Sequence, residues 1–122
     1  MIGTEKLMPS ELSGGMKKRI GIARAIALNP KYLLYDEPTT GLDPISIKNI
    51  NNLIKKIHNK AGVTSIMVTH ELKTIYEVAD RVIMLDRKKV IFDNKPSELI
   101  NSNQRIIQEF IGNGNFSKEG YE

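Results

Sequence analysis

The chain has 122 residues, which is one domain or part of one, and it carries a net charge of +4. Its hydrophobic content of 40% and charged content of 26% are ordinary for a globular protein. The absence of cysteine excludes a disulfide framework, a thiolate metal site and a thiol nucleophile, and is compatible with a reducing compartment. No apolar run approaches the roughly 18 residues of a membrane helix, and no signal-peptide pattern is present, so membrane contact is expected to be indirect.

The basic residues include two short clusters, Lys17–Arg19 and Arg87–Lys89. A nucleic-acid interface would need a basic face interleaved with aromatic side chains. Aromatic residues make up only 6% of the chain, and the two clusters are far apart in the sequence. We therefore interpret both clusters as solvated surface and expect no nucleic-acid partner.

The first predicted helix begins after Ser13, a favoured N-cap residue, and ends near Leu28 because Asn29–Pro30 follows. Its predicted apolar stripe has spacings of four, three and four and comprises Met16, Ile20, Ala23 and Ala27. The backbone N–H groups of Gly14 and Gly15, together with the positive end of the helix dipole, form a candidate anion site. The alternative is that Ser13 and the two glycines are only a helix cap.

An apolar run from Tyr32 to Tyr35 predicts a buried strand that delivers two adjacent carboxylates, Asp36 and Glu37, to its carboxyl end. Asp43–Pro44 predicts the start of the next helix, an N-cap followed by proline at the first helical position. The apolar stripe of that helix and the glycine that ends it are Ile47, Ile50, Ile54, Ile57 and Gly62. The β-branched residues from Val63 to Thr69 predict a second strand that ends at His70.

The rest of the chain is predicted to contain further helices and a hairpin. They are a short helix at Glu71–Ala79, a hairpin of Arg81–Asp86 and Val90–Phe92, a short helix at Pro96–Ile100 and an amphipathic helix through Ile106–Ile111 that stops at Gly112. The alternation of strands and helices predicts an α/β fold with a largely parallel sheet. Ligands of such sheets bind at the carboxyl ends of the strands, where Asp36, Glu37 and His70 fall.

Four segments of the chain resemble, in order and spacing, the motifs of ABC-type ATPases. They are Leu12–Met16 for the signature motif, Leu33–Glu37 for the Walker B strand, Gly41–Asp43 for the D-loop and Val68–His70 for the H-loop. Met16 departs from the glutamine that is common at its position. The sequence from Lys6 to Met16 is most similar to the Mla-type branch, the ATPases of Mce-associated lipid transporters. The resemblance implies a P-loop NTPase-type fold with ATP and Mg²⁺ as cofactors.

The resemblance implies a role for each polar residue near the strand ends. Asp36 would hold Mg²⁺, usually through a water, Glu37 would be the general base, and His70 would be a donor near the γ-phosphate. Read from the residues alone, the two carboxylates could instead cap the following helix, and His70 could be a structural histidine.

A second set of residues is implied to act across a dimer. Ser13, Gly14 and Gly15 would close on ATP held by a second ABC ATPase subunit, so catalysis would need a head-to-tail dimer. Asp43 would add a contact across that dimer, although it could also be only the N-cap of its helix.

Two motifs of the family are absent from this sequence. No Gly-x-x-x-x-Gly-Lys-Ser/Thr loop (Walker A) occurs, and no Q-loop precedes the signature motif. The chain is therefore expected to be the carboxyl-terminal half of an ABC nucleotide-binding domain. Residues 1–30 would be the end of the helical subdomain, 31–112 part of the catalytic core and 113–122 a disordered tail. Without the neighbouring strands, apolar surface beside Tyr32–Tyr35 should be exposed, and the isolated chain should neither hydrolyse ATP nor fold stably.

The leading functional hypothesis is the ATP-hydrolysing subunit of an ABC transporter for phospholipid or another hydrophobic cargo. Such a subunit would be cytoplasmic and bound to the inner face of the membrane through an integral permease. An importer of a small polar solute is the nearest rival. A soluble ABC ATPase of DNA repair or translation is disfavoured, because neither a coiled-coil insertion nor a second motif set is seen. A non-catalytic interaction module or gene remnant is the third class, supported by the missing Walker A loop.

Overall fold

The computed structural model describes residues 2–113, which contain four α-helices and four strands. The helices are α1 (Gly14–Ile26), α2 (Pro44–Ala61), α3 (Leu72–Val78) and α4 (Arg105–Asn113), and the strands are β1 (Tyr32–Asp36), β2 (Thr64–Val68), β3 (Val82–Asp86) and β4 (Lys89–Asn94). Two 3₁₀ helices span Pro9–Glu11 and Pro96–Asn101. The chain divides between Thr69 and His70 into two compact units. Within the described part, no helix has the length and apolar character needed to cross a membrane.

Helix α1 begins where the sequence predicts but buries a different face. Its N-cap is Ser13, whose Oγ accepts a hydrogen bond from the Met16 backbone N–H at 3.2 Å. The predicted inward stripe is wrong, because Ile20, Ala23 and Ala27 are exposed. Ile22 is the buried residue of the helix, and Ile26, one turn later, lines a cavity together with residues of α2. Two of the four residues in the predicted stripe are alanines, which contribute little buried area. Helix α1 instead packs against α2 through a different face.

Strands β1 and β2 form a parallel pair in which Leu34 lies opposite Ile66 and Asp36 opposite Val68. One face of β1 is buried through Leu33 and Tyr35, as predicted. The opposite face is exposed, so the predicted buried strand is buried on one face only. The four large apolar side chains of the exposed face, Tyr32, Leu34, Ile66 and Val68, are each at least 60% exposed, and we call them the bare sheet face. This agrees with the apolar surface that was expected beside Tyr32–Tyr35.

Helix α2 follows its sequence signals closely. The Asp43 side chain accepts a hydrogen bond from the Ser46 backbone N–H at 3.0 Å, and Pro44 occupies the first turn. All four isoleucines of the predicted stripe are buried, at Ile47, Ile50, Ile54 and Ile57. Gly62 ends the helix in the left-handed region with φ of 59°. With Leu33 and Tyr35, the stripe supplies most of the buried apolar side chains of the first unit.

Replacing Gly62 with alanine should lower the free energy of unfolding by about 1 kcal/mol, because a Cβ is disfavoured in the left-handed region. An added Cβ would meet no atom within 4 Å, so the effect is backbone strain alone. Gly21→Ala is the matched control, since its Cβ also meets nothing but the residue lies inside α1. This control should stabilise the chain by roughly 0.5–1 kcal/mol. Urea unfolding followed by circular dichroism measures both, and equal signs for the two variants would contradict the prediction.

The buried phenol of Tyr35 should make the first unit sensitive to alkaline pH. Burial raises the pKa of Tyr35 above its ordinary value of 10.0, and the neighbouring Ser65 hydroxyl offsets only part of that rise. The folded state therefore favours the protonated phenol more than the unfolded state does. This contribution to the free energy of unfolding is fully present below pH 10 and is lost as the pH rises through the raised pKa of the folded state. Thermal unfolding measured between pH 8 and pH 11 should show a shallower decline for Tyr35→Phe than for the parent. Tyr32→Phe, exposed in the same strand, is the control and should decline as the parent does.

The second unit contains α3, the β3–β4 hairpin, the second 3₁₀ helix and α4. The hairpin is antiparallel as predicted, and its register pairs Val82 with Asn94 and Asp86 with Lys89. The buried core consists of Leu72, Ile75, Leu99, Ile107 and Ile111. Helix α4 continues through Gly112 to Asn113, beyond its predicted stop, because Gly112 does not adopt the positive φ of a helix-ending glycine. The predicted disordered tail falls, after residue 113, outside the described residues.

Candidate functional site

The signature loop Ser13–Gly15 lies beside the D-loop segment and the start of α2. A Cβ added at Gly14 would stand 3.1 Å from Leu42 Cδ2, and one added at Gly15 would stand 3.6 Å from Ser46 Oγ. The close approach to Leu42 gives Gly14 a packing role that the sequence did not indicate. The fold thus brings together two segments, Leu12–Met16 and Gly41–Asp43, that are about thirty residues apart in the chain.

The two predicted carboxylates follow each other at the carboxyl end of β1. Asp36 is the last residue of the strand and is exposed, whereas Glu37 is half-buried. Glu37 continues the parallel ladder for one more bond, since its N–H donates to the carbonyl oxygen of Val68 at 2.9 Å. The backbone of Glu37 then turns into the left-handed region with φ of 45°, which is uncommon for a residue with a side chain. This turn directs the chain away from the sheet immediately after the carboxylate pair.

Two neighbouring side chains hold Glu37. Lys18 Nζ donates a hydrogen bond to the backbone carbonyl oxygen of Glu37 at 2.9 Å. Thr40 Oγ1 donates to Glu37 Oε2 at 2.8 Å, and the Thr40 N–H points to the same Glu37 carbonyl oxygen at 3.4 Å. The main chain and the carboxylate of Glu37 are therefore both fixed.

Asp43 serves as the N-cap of α2, so this alternative from the sequence is realised in the fold. Hydrogen bonds from the side chain and the backbone of Ser46 lower the pKa of Asp43 below its usual value. The carboxylate is therefore negatively charged throughout the neutral range. The carboxylate stays exposed.

The two histidines occupy different kinds of position. His70 stands two residues after the end of β2, is exposed, and is the first residue of the second unit. His58 is exposed near the end of α2, as predicted for a surface residue, and its Nδ1 lies 2.9 Å from the carbonyl oxygen of Val63. His58 thus links the end of α2 to the segment that leads into β2.

The first unit brings six of the seven predicted site residues into one compact body, namely Ser13, Gly14, Gly15, Asp36, Glu37 and Asp43. Sequence reasoning missed Lys18 and Thr40. Thr40 had a weak signal, because a threonine three residues after a strand end often bonds within a turn. Lys18 had none, since its bond to Glu37 spans 19 residues and its own cluster was interpreted as solvated surface.

The donor set fits a magnesium–phosphate ligand in part. Asp36 offers exposed carboxylate oxygens, the donor type that Mg²⁺ prefers, beside a second carboxylate that is already hydrogen-bonded. Within residues 2–113, no group of three or more His, Cys, Asp or Glu side chains forms a complete protein metal site. The arrangement therefore suits a magnesium ion that takes most of its ligands from phosphate and water.

Comparisons with known proteins indicate the family of the chain. A family profile described as ABC transporter matches residues 2–40. The methionine import ATP-binding protein MetN of Campylobacter jejuni is 43% identical over 114 residues, which is 93% of this chain and 34% of that protein. The intermembrane phospholipid transport system ATP-binding protein MlaF of Haemophilus influenzae is 41% identical over 109 residues, which is 89% of this chain and 41% of that protein.

Among solved structures, one described as an inward-facing conformation of a metal-chelate type ABC transporter superposes with a TM-score of 0.68 and 27% identity. The match covers 75% of this chain and 36% of that one, and it confirms a partial α/β fold of the ABC ATPase type. The chain spans about one third of the length of the first MetN relatives that it matches. These matches and the four motifs identify the chain as a relative of the ATP-binding subunits of ABC transporters.

Proposed function

We propose that the chain supplies the carboxyl-terminal half of the nucleotide-binding domain in the ATP-hydrolysing subunit of an ABC transporter. The observation that carries this proposal is the joining of the signature helix to the carboxylate pair in one compact unit. The signature loop starts α1, and Lys18 of the same helix bonds to Glu37 at 2.9 Å. A surface helix cap and a chance pair of loop carboxylates would not need such a connection.

Each site residue has a role in this proposal that its chemistry supports. Asp36 would hold Mg²⁺, which, when bound with ATP, neutralises charge on the β- and γ-phosphate oxygens. Glu37 would orient the attacking water and accept its proton, because a carboxylate held in place by Thr40 is the kind of group that acts as a general base. His70 would place a donor near the γ-phosphate, and Ser13, Gly14 and Gly15 would offer backbone N–H groups to ATP on a second subunit.

The proposal requires partners, because the 122 residues contain no Walker A loop. The missing phosphate-binding lysine and loop would come from the other half of the same domain. A head-to-tail dimer with a second ATPase subunit would complete each site, and an integral permease would hold the assembly at the cytoplasmic face of the membrane. By itself the chain is expected to show no ATP turnover.

The DNA upstream of the Met1 codon, read in all frames, is the first test of this requirement. We expect a Walker A loop and a Q-loop there, in frame or one frameshift away. The chain extended by that segment should hydrolyse ATP, whereas the 122-residue chain should not. Turnover by the 122-residue chain would overturn the requirement, and no turnover by the extended chain would overturn the proposed function.

For the cargo, we propose a phospholipid or another hydrophobic molecule, with a small polar solute as the second candidate. The sequence around the signature motif and the MlaF relative support the hydrophobic cargo. The methionine import relatives, of similar identity, support the second. The subunit reconstituted with its permease in liposomes should be stimulated by one class of cargo only. Stimulation of ATP turnover by added phospholipid supports the first candidate, and stimulation by L-methionine replaces it with the second.

A further inference from the structure

The backbone of Glu37 adopts a conformation that is energetically unfavourable for a residue with a side chain. Its φ of 45° lies in the left-handed region, where the Cβ crowds the following carbonyl group. Such conformations persist where surrounding contacts impose them. The contacts at Glu37 include the ladder bond to Val68, the side chain of Thr40 and the ammonium group of Lys18.

Lys18 is the contact with Glu37 that comes from α1. It lies in the second turn of α1 and is half-buried, whereas its neighbours Lys17 and Arg19 are exposed. A lysine on a helix surface normally keeps its ammonium group in water. Here Lys18 Nζ instead donates a partly buried, charge-assisted hydrogen bond of 2.9 Å to a carbonyl oxygen 19 residues away.

We propose that Lys18 is a positioning residue that ties α1 to the Glu37 turn and so fixes the Glu37 carboxylate. Because α1 begins with the signature loop, one rigid helix carries both Ser13–Gly15 and the group that holds Glu37. A displacement of α1 at the signature loop therefore moves or releases Glu37. The catalytic consequence rests on the proposed role of Glu37 as general base, whereas the contact itself does not.

The contact is tested by nuclear magnetic resonance on the chain extended by its Walker A segment, with the variants Lys18→Met and Lys18→Arg. Loss of the ammonium donor in Lys18→Met should shift the carbonyl carbon resonance of Glu37 upfield and speed hydrogen exchange of the Glu37 amide by about tenfold. Lys18→Arg keeps a cationic donor and should restore at least part of both readings. Lys17→Met, which removes an exposed charge one position away, is the matched control and should leave both readings unchanged.

The catalytic consequence is tested in the chain extended by its Walker A segment. Lys18→Met should lower kcat by roughly tenfold to a hundredfold with little change in the KM for ATP, and Lys18→Arg should recover part of the loss. A merely structural role would instead lower the unfolding midpoint of Lys18→Met below that of Lys17→Met and would not separate kcat from KM.

The two arms separate the possible failures. Unchanged carbonyl shift and exchange in Lys18→Met would overturn the contact and the proposal with it. A changed shift with a kcat equal to that of Lys17→Met would overturn the positioning role. Absence of turnover in the extended parent would count against the proposed function, and the resonance and exchange readings would then decide alone whether Lys18 holds Glu37.

Discussion

Replacing Ile50 with alanine should destabilise the first unit by about 2–5 kcal/mol, the usual cost of removing a buried isoleucine side chain down to its Cβ. Ile50 is fully buried at the centre of the α2 stripe, so the cavity left behind has no access to solvent. Burying Ile50 also removes apolar area that the unfolded chain exposes, and that contribution is lost together with the packing contacts.

Helix α2 provides its own control for this change. Ile45 belongs to the same helix and is the same residue type, but it is 75% exposed. Ile45→Ala should change stability by less than about 0.5 kcal/mol, and it improves helix propensity slightly. The milder Ile50→Val should cost about 0.5–1.5 kcal/mol and keeps the effect measurable if Ile50→Ala unfolds the unit outright. Urea unfolding of the three variants tests the order, and equal effects at Ile45 and Ile50 would contradict the observed burial.

The accuracy of the sequence predictions for α2 has a physical explanation. Its N-cap at Asp43, its first-turn proline and its terminal Gly62 are local signals that act within a few residues. Its stripe is also clear, because four isoleucines recur at helical spacing and all four are buried. The sequence therefore predicted the bounds and the buried face of this helix together.

The buried face of α1 was predicted wrongly, and the apolar run of β1 did not by itself show which of its faces is exposed, because burial depends on neighbours that a local pattern does not contain. Ile20 and Leu34 are as apolar as buried residues but remain exposed. Parallel sheets are normally covered on both faces, so the bare sheet face is unusual for a stable chain. We propose that the other half of the domain covers it, which also agrees with the expected instability of the isolated chain.

The sequence motifs predicted the residues of the candidate site, but they did not predict the contacts that hold Glu37 in place. The carboxylate pair and the signature loop are contiguous in sequence, so a pattern can find them. The bond from Lys18 to Glu37 joins residues 19 positions apart, and nothing in the local spacing of either residue indicates it. The positive φ of Glu37 was equally unpredictable, because glycine, the usual residue for that conformation, is absent there.

Replacing Glu37 with glutamine should reduce the kcat for ATP hydrolysis in the extended chain by about 10²–10⁴-fold, the range that a positioned general base contributes. Glutamine keeps the size of the side chain, and its amide oxygen can still accept the bond from Thr40. The change thus removes the negative charge and the proton acceptor without removing the support of the turn. The KM for ATP should change little, because the lost interaction acts in the transition state.

Two further variants make this result specific to the position of Glu37. Glu109→Gln removes an exposed carboxylate of α4 that pairs with Arg105, and it should leave kcat within about twofold of the parent. Asp36→Asn should instead raise the Mg²⁺ concentration needed for half-maximal turnover, because it weakens the proposed magnesium ligand. Steady-state turnover measured over a range of ATP and Mg²⁺ concentrations distinguishes the three. If Glu37→Gln turned over ATP as fast as Glu109→Gln, Glu37 would not be the general base. A residue that accepts the proton in the rate-limiting step cannot lose its charge without slowing turnover.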